Sequence, residues 1–202
     1  VVLDRLRQTN AFASASHLGL ILAGVFSLDV VGMSGALYQI IAHALTSGVM
    51  FLMVGIISAQ LGTRKISQLG GIAHKAPVFA TLFGIMMLSS VGLPTTIGFV
   101  AELLILVGLF KTNLIYGIIA TTSIIVGAVY MFVVYRKAIL QSVGSVTDKF
   151  KELSKSQILG FGFVAIIIFV MGIYPKTFLD LSENTVQNHY EKYIKSNLKE
   201  HK

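Results

Sequence analysis

The sequence predicts an all-α membrane protein, and three observations carry that prediction. Of its 202 residues 54% are hydrophobic and only 12% are charged, too apolar for a domain that must wet its whole surface. The apolar residues fall in long uncharged blocks. At about 1.5 Å per residue, a block of roughly 20 residues crosses a hydrocarbon core about 30 Å thick. The charges that remain gather in short segments between the blocks.

The elements follow in order. Residues 1–8 are polar and basic and lead straight into a span, so no cleavable signal peptide is expected. Apolar blocks over about 11–28 and 33–59, joined by a short link at 29–32, are each long enough to cross. A polar loop over 60–76 precedes Pro77, placed where a helix tolerates proline, in its first turn. The next block is interrupted: an apolar stretch over 77–91 meets Gly92-Leu93-Pro94-Thr95-Thr96-Ile97-Gly98 and resumes over 98–110. Proline removes a backbone donor and the glycines loosen the chain, so 77–110 reads as one crossing broken in its middle. A block over 113–137 ends at Tyr135-Arg136-Lys137, a polar loop covers 138–155, and a final span covers 156–174. The chain divides into a transmembrane domain, 1–175, and a polar C-terminal tail, 176–202. The expectation is six transmembrane crossings, one of them a broken helix over about 77–110.

Sidedness follows from the basic residues. Arg5, Arg7, Arg64, Lys65, Lys75, Arg136, Lys137, Lys149, Lys151 and Lys155 fall on one face, and only Lys111 and Lys176 lie near the membrane on the other. This bias arises only if 77–137 makes two crossings, which supports the broken helix, and it makes the basic face cytoplasmic or matrix. The C-terminal tail is expected on the opposite side.

Composition also excludes chemistry. With no cysteine, the chain offers no disulfide, thiol nucleophile, thiolate metal site or iron–sulfur ligand. Its formal charge of +7 is spread over loops rather than along one stripe, which argues against nucleic acid. No two histidines share a metal-ligand spacing, and no glycine-rich loop precedes a phosphate-binding helix. No metal or cofactor is expected in this chain.

What remains is intramembrane polarity. Glu102 is the only acidic residue inside an apolar block, three residues into the resumed helix. A charge there costs about 2.5–3.5 kcal/mol on translocon scales, so it needs a reason. A carboxyl poised between desolvation and a nearby cation or helix N-terminus exchanges protons; the bland alternative is a helix cap or a residue facing a water defect. Gln39, His43 and either Thr46 or Ser47 share one helix face, a spacing that suits a hydrogen-bonded proton wire and equally suits polar glue between helices. His17, one turn after Ser14, is a relay member or a packing histidine, and His74 sits in a polar loop.

Four strings, SASHLGLILAGVF (14–26), QIIAHALTSGVMFLMVG (39–55), GTRKISQLGG (62–71) and VGLPTTIGFVAELLILVGLF (91–110), come in this order at characteristic spacings. Together, over nearly all of 12–175, they resemble the second half of the proton-pumping antiporter family of NADH:quinone oxidoreductase. The family's branches differ at the broken helix. Glutamate at 102, with Ser47 rather than lysine one turn after His43, resembles the branch called chain 4 or chain M. The resemblance implies that Glu102 is a proton-channel carboxylate and His43 a central-axis histidine. It makes His17, Gln39, Thr46 and Ser47 neighbours of the path and Gly92, Pro94 and Gly98 the helix break. This chain departs from the family's common GLPGTSGFVGE at Thr95, Ile97 and Ala101.

By that resemblance NADH, FMN, iron–sulfur clusters and quinone are expected in other subunits, and this chain supplies translocation. The implied partners are other membrane-arm subunits, including a chain supplying the N-terminal half with an intramembrane lysine, and the lipid bilayer. The implied location is an energy-coupling membrane, mitochondrial inner or bacterial plasma. Two alternatives stand beside it: the homologous subunit of a multisubunit cation/proton antiporter or membrane-bound hydrogenase, and a structural membrane subunit that does not pump.

Overall fold

A computed structural model describes residues 5–142, 144 and 146–195. Among them the regular secondary structure is all helical, apart from an isolated bridge between Arg5 and Lys65. Helix α1, Leu6–Phe26, starts five residues before its apolar block. Thr9, in these polar first turns, is buried and partnered: its Oγ1 donates to the Arg5 carbonyl at 3.0 Å, and the Tyr130 hydroxyl donates to its carbonyl at 2.6 Å. Helix α2, Val30–Leu61, also starts early. Asp29, read from sequence as part of a link, is its N-cap, its Oδ1 accepting from the Val31 and Gly32 amides at 2.9 and 3.2 Å.

After the short α3, Ile72–Lys75, come α4, Pro77–Ser90, and α5, Ile97–Thr112, the two halves of the interrupted block. Helix α6, Leu114–Tyr135, runs on through one wider turn to Leu140. Helix α7, Lys155–Ile173, opens on a capping box between Ser154 and Gln157. The expected polar tail begins as an amphipathic helix, α8, Lys176–His189, which buries Val186 and packs Phe178 and Leu179 on the core.

The count of six crossings is not reached. Among the described residues four helices are long and apolar enough to cross alone: α1, α2, α6 with its extension, and α7. The halves α4 and α5 have 14 and 16 residues. That is roughly 21 and 24 Å of helix, short of a core about 30 Å thick. Only counting each half as a span gives six.

Helix α2 is the axis of the bundle, with α1, α4, α5 and α7 packed around it. Its closest neighbour is α5: a Cβ on Gly108 would fall on the Gly32 backbone, and one on Gly35 would stand 2.7 Å from the Ile105 nitrogen. Backbones meet there without intervening side chains, the packing that serves where no hydrophobic effect drives helices together. The basic loops gather at one end. The Leu6 amide donates to the Arg64 carbonyl at 3.0 Å, Gln60 exchanges two hydrogen bonds with the Lys151 backbone, and Lys75 meets Asp148 at 2.9 Å. The α1–α2 turn meets the end of α5 elsewhere, with Asp29 3.8 Å from Lys111 and the Thr112 hydroxyl donating to the Ser27 carbonyl at 2.7 Å.

Candidate functional site

The interruption between α4 and α5 is an ordered turn. Helix α4 ends in a Schellman motif: the Leu93 amide donates to the Leu88 carbonyl at 2.9 Å and the Gly92 amide to Ser89 at 3.3 Å. Gly92 takes the left-handed conformation this requires, with φ 72°. Thr96 then bonds the Leu93 carbonyl through both its amide, at 3.1 Å, and its hydroxyl, at 2.7 Å. Most carbonyls freed by the break are thus satisfied within it. Thr95, where the family commonly has glycine, carries φ 80°, a conformation unfavourable to a β-branched residue.

Helix α5 folds back beside this turn. Gly98 lies against the Ser89 carbonyl so closely that a Cβ would collide with it. One turn later Glu102, 5% exposed, directs its Oε2 over the Cα of Gly92. A side chain at 92 would displace the carboxylate.

Three elements bring polar groups to that carboxylate. From α1, His17 Nδ1 lies 3.7 Å from Glu102 Oε1. That is too long for a hydrogen bond and closes with a movement of about 1 Å. From α2, Gln39 Nε2 approaches the same His17 nitrogen at 3.2 Å, and the His43 ring sits 5.3 Å from the His17 ring, centroid to centroid. From the end of α4, Ser90 borders the same cavity wall as His17. In the tautomer that lets Gln39 donate to Nδ1, the ring proton sits on Nε2. Beyond His43 the stripe continues to Ser47, whose hydroxyl meets that of Ser14 at 2.8 Å.

Of the residues singled out from sequence, Glu102, His17, Gln39, His43 and Ser47 thus line one contiguous polar seam between α1, α2 and α5. Thr46 does not join it: its hydroxyl is buried and donates to the Ala42 carbonyl of its own helix at 2.8 Å. Gly92 and Gly98 make the close approaches at the break, and Pro94 is exposed within it. His74 is exposed on α3. Ser14, Ser90 and Asn10, which also border the seam, were not singled out as path residues. The i, i+4, i+7 spacing of Asn10, Ser14 and His17 on α1 was the available signal.

Glu102 and His17 also open on a cavity of about 680 Å³ between α1, α5 and α6, where Ser16, Ser27 and Ser123 add hydroxyls to mostly apolar walls. A carboxyl 3.7 Å from one imidazole, with a second imidazole beside the first and a cavity bearing a few hydroxyls alongside, can hold and pass protons. Among the described residues no three His, Asp or Glu side chains cluster as a metal site.

Residues 4–127 match the family described as NADH:quinone oxidoreductase/Mrp antiporter, TM. The chain is 38% identical over 184 residues to NADH-quinone oxidoreductase subunit M of Rickettsia prowazekii (strain Madrid E), a match covering 91% of this chain and 38% of that relative. The fold superposes on a chain of respiratory complex I from Thermus thermophilus with bound NADH at a TM-score of 0.87 and 29% identity, covering 94% of this chain and 40% of that one. It superposes on a chain of the Mrp complex from Dietzia sp. DQ12-45-1b at a TM-score of 0.85 and 19% identity, covering 95% and 44%. The chain therefore spans about two fifths of the length of the proteins it matches.

Proposed function

Because the chain belongs to the NADH:quinone oxidoreductase/Mrp antiporter transmembrane family, we propose that residues 1–175 are the distal half-module of a proton-translocating membrane subunit of NADH:quinone oxidoreductase. The observation that carries this reading is the Glu102 carboxylate 3.7 Å from a histidine that Gln39 and His43 hold in place. In this mechanism a proton moving along the seam is bound at His17 Nδ1, displacing the Gln39 amide from that nitrogen; the Nδ1–H bond breaks as an O–H bond forms on Glu102 Oε1, and the proton later leaves past the hydroxyls of the adjoining cavity. His43 supplies a second imidazole beside His17, and a side-chain adjustment of ~1 Å closes the His17–Glu102 distance while the close contacts of α5 hold its backbone in place.

The number of crossings consistent with the charge pattern is five, with α4 and α5 together making one. An odd number sets the basic loops and α8 on opposite sides of an energy-coupling membrane, mitochondrial inner or bacterial plasma. Redox chemistry with NADH, FMN, iron–sulfur clusters and quinone belongs to other subunits. The remaining half of the module, with an intramembrane lysine, lies beyond these 202 residues, among neighbours in the membrane arm. The Mrp complex structure supports the same fold, but the higher identity to subunit M favours the quinone-reducing enzyme.

The test is Glu102→Gln in the intact complex, reconstituted in liposomes. It keeps the volume and removes the titratable proton, so assembly persists while proton pumping driven by NADH oxidation falls at least about tenfold. Glu102→Asp falls between the two. Pumping at the wild-type rate in Glu102→Gln defeats the reading.

A further inference from the structure

A buried amide borders the same seam without a partner. Asn10 is 4% exposed, and its Nδ2 has no hydrogen-bond partner among the described residues. The neighbouring polar groups are already engaged: the Thr9 hydroxyl by the Arg5 carbonyl, the Tyr130 hydroxyl by the Thr9 carbonyl. Asn10 lies on the face of α1 that carries Ser14 and His17. It borders a cavity of about 10 Å³ also lined by Ser14, His17, His43, Ser47 and Ser90. That is about the volume that admits one water molecule, and a buried water needs two to four polar partners. The amide, the paired hydroxyls of Ser14 and Ser47 and the His43 ring provide them.

We propose that Asn10 is a positioning residue: with Ser14, Ser47 and His43 it holds a single water that passes protons between the Arg5 end of α1 and the His17–Glu102 pair. Asn10 stands five residues from Arg5, about 7.5 Å along the helix. On its other side Asn10 stands seven residues before His17, about 10.5 Å along the helix, and the water occupies part of that interval, in the cavity that both residues border. In each passage the water gains a proton on one lone pair and gives another from an O–H bond to an imidazole nitrogen, and so is regenerated. The amide itself transfers nothing; it fixes the water's orientation. The proposal rests on the proton-translocating reading above.

The experiment uses the intact complex in liposomes. Asn10→Leu removes the amide at similar volume and lowers the pumping rate about tenfold, whereas Asn10→Ser, which keeps a hydroxyl and leaves room for a second water, stays within about threefold of wild type. A high-resolution cryo-EM map carries a density peak between Asn10, Ser47 and His43 that Asn10→Leu lacks. Full pumping in Asn10→Leu, equal loss in Asn10→Ser, or no such peak in the wild type each overturns the proposal. If Asn10→Leu does not assemble, the wild-type peak and Asn10→Ser decide alone. Glu102→Gln run in parallel separates the two ideas: its failure to affect pumping sinks the underlying reading, while its loss beside a fully active Asn10→Leu sinks only the water step.

Discussion

Gly98→Ala is the smallest change that should disable the broken helix. An added Cβ at this position would overlap the carbonyl oxygen of Ser89, in the last turn of α4. Carbon–oxygen contacts settle at about 3.3 Å or more, so the half-helices must separate by on the order of 1 Å. The obstacle is backbone, which cannot swing aside as a long side chain would. Forced overpacking of this kind costs about 1–3 kcal/mol. The functional cost is larger, because Glu102 sits one turn after Gly98 on the displaced helix, while His17 and Gln39 are carried by α1 and α2. Misplacing a reacting group by 1 Å can lower a rate by about 100-fold. The assay is proton pumping by the reconstituted complex beside its thermal unfolding midpoint, with Gly48→Ala as control, since a Cβ there meets nothing within 4 Å. The expectation is a loss of pumping well beyond the loss of stability in Gly98→Ala and little change in Gly48→Ala. Wild-type pumping in Gly98→Ala would refute the claim that this contact sets the position of Glu102.

Two further outcomes test the frame around the site. Glu152 caps α4 from the distant loop, its oxygens accepting from the Val78 and Phe79 amides at 2.9 and 3.0 Å. Glu152→Gln should therefore destabilise the subunit by about 1 kcal/mol and speed proteolysis of the loop before α7, leaving pumping per assembled complex unchanged; an unaltered unfolding midpoint contradicts the cap. For topology, Ser67 and Ser142 border one groove at the basic end. Cysteines at Ser67 and Ser142 should label from the same side and one at Asn188 from the other, and labelling of all three from one side excludes five crossings.

The spans were legible in sequence because a hydrocarbon core imposes a length, and the break was legible because Gly92, Pro94 and Gly98 act on the backbone locally. Helix ends were less so. Thr9 looks like a solvated residue until the hydroxyl of Tyr130, more than a hundred positions away, reaches its carbonyl. The Glu152 cap joins residues 74 apart, a relation no local pattern contains. Helix α8 was hidden by its hydrophilic average, although Phe178, Leu179 and Val186 fall on the side it packs inward. At the site, the spacing of Gln39 and His43 revealed a face of α2 but not which helix it meets. Thr46 and Ser47 differ by one helical step, about 100°, and only the position of α1 directs Ser47 into the seam while Thr46 bonds its own backbone.

Proton translocation requires release as well as uptake, and this sets what the module still needs. Among the described apolar helices α1, α2 and α4 to α7, Glu102 is the carboxyl and His17 and His43 are the imidazoles, while their lysines and arginines, Arg7, Lys111, Arg136, Lys137 and Lys155, stand near the helix ends. A carboxyl that has taken a proton from His17 keeps the same affinity for it unless something changes the carboxyl's surroundings between uptake and release. An approaching cation does that, since opposite charge within about 4–6 Å favours the ionised carboxylate and its withdrawal restores the protonated one. The cavity beside Glu102 opens between α1, α5 and α6, away from the α2 axis. A lysine entering from a neighbouring segment on that side would reach the carboxylate without disturbing the Gln39–His17–His43 cluster. Under the proposed function the seam and the counter-charge are separable parts: Glu102 and His17 would hold the proton, and a cation from a neighbouring segment would decide when it leaves.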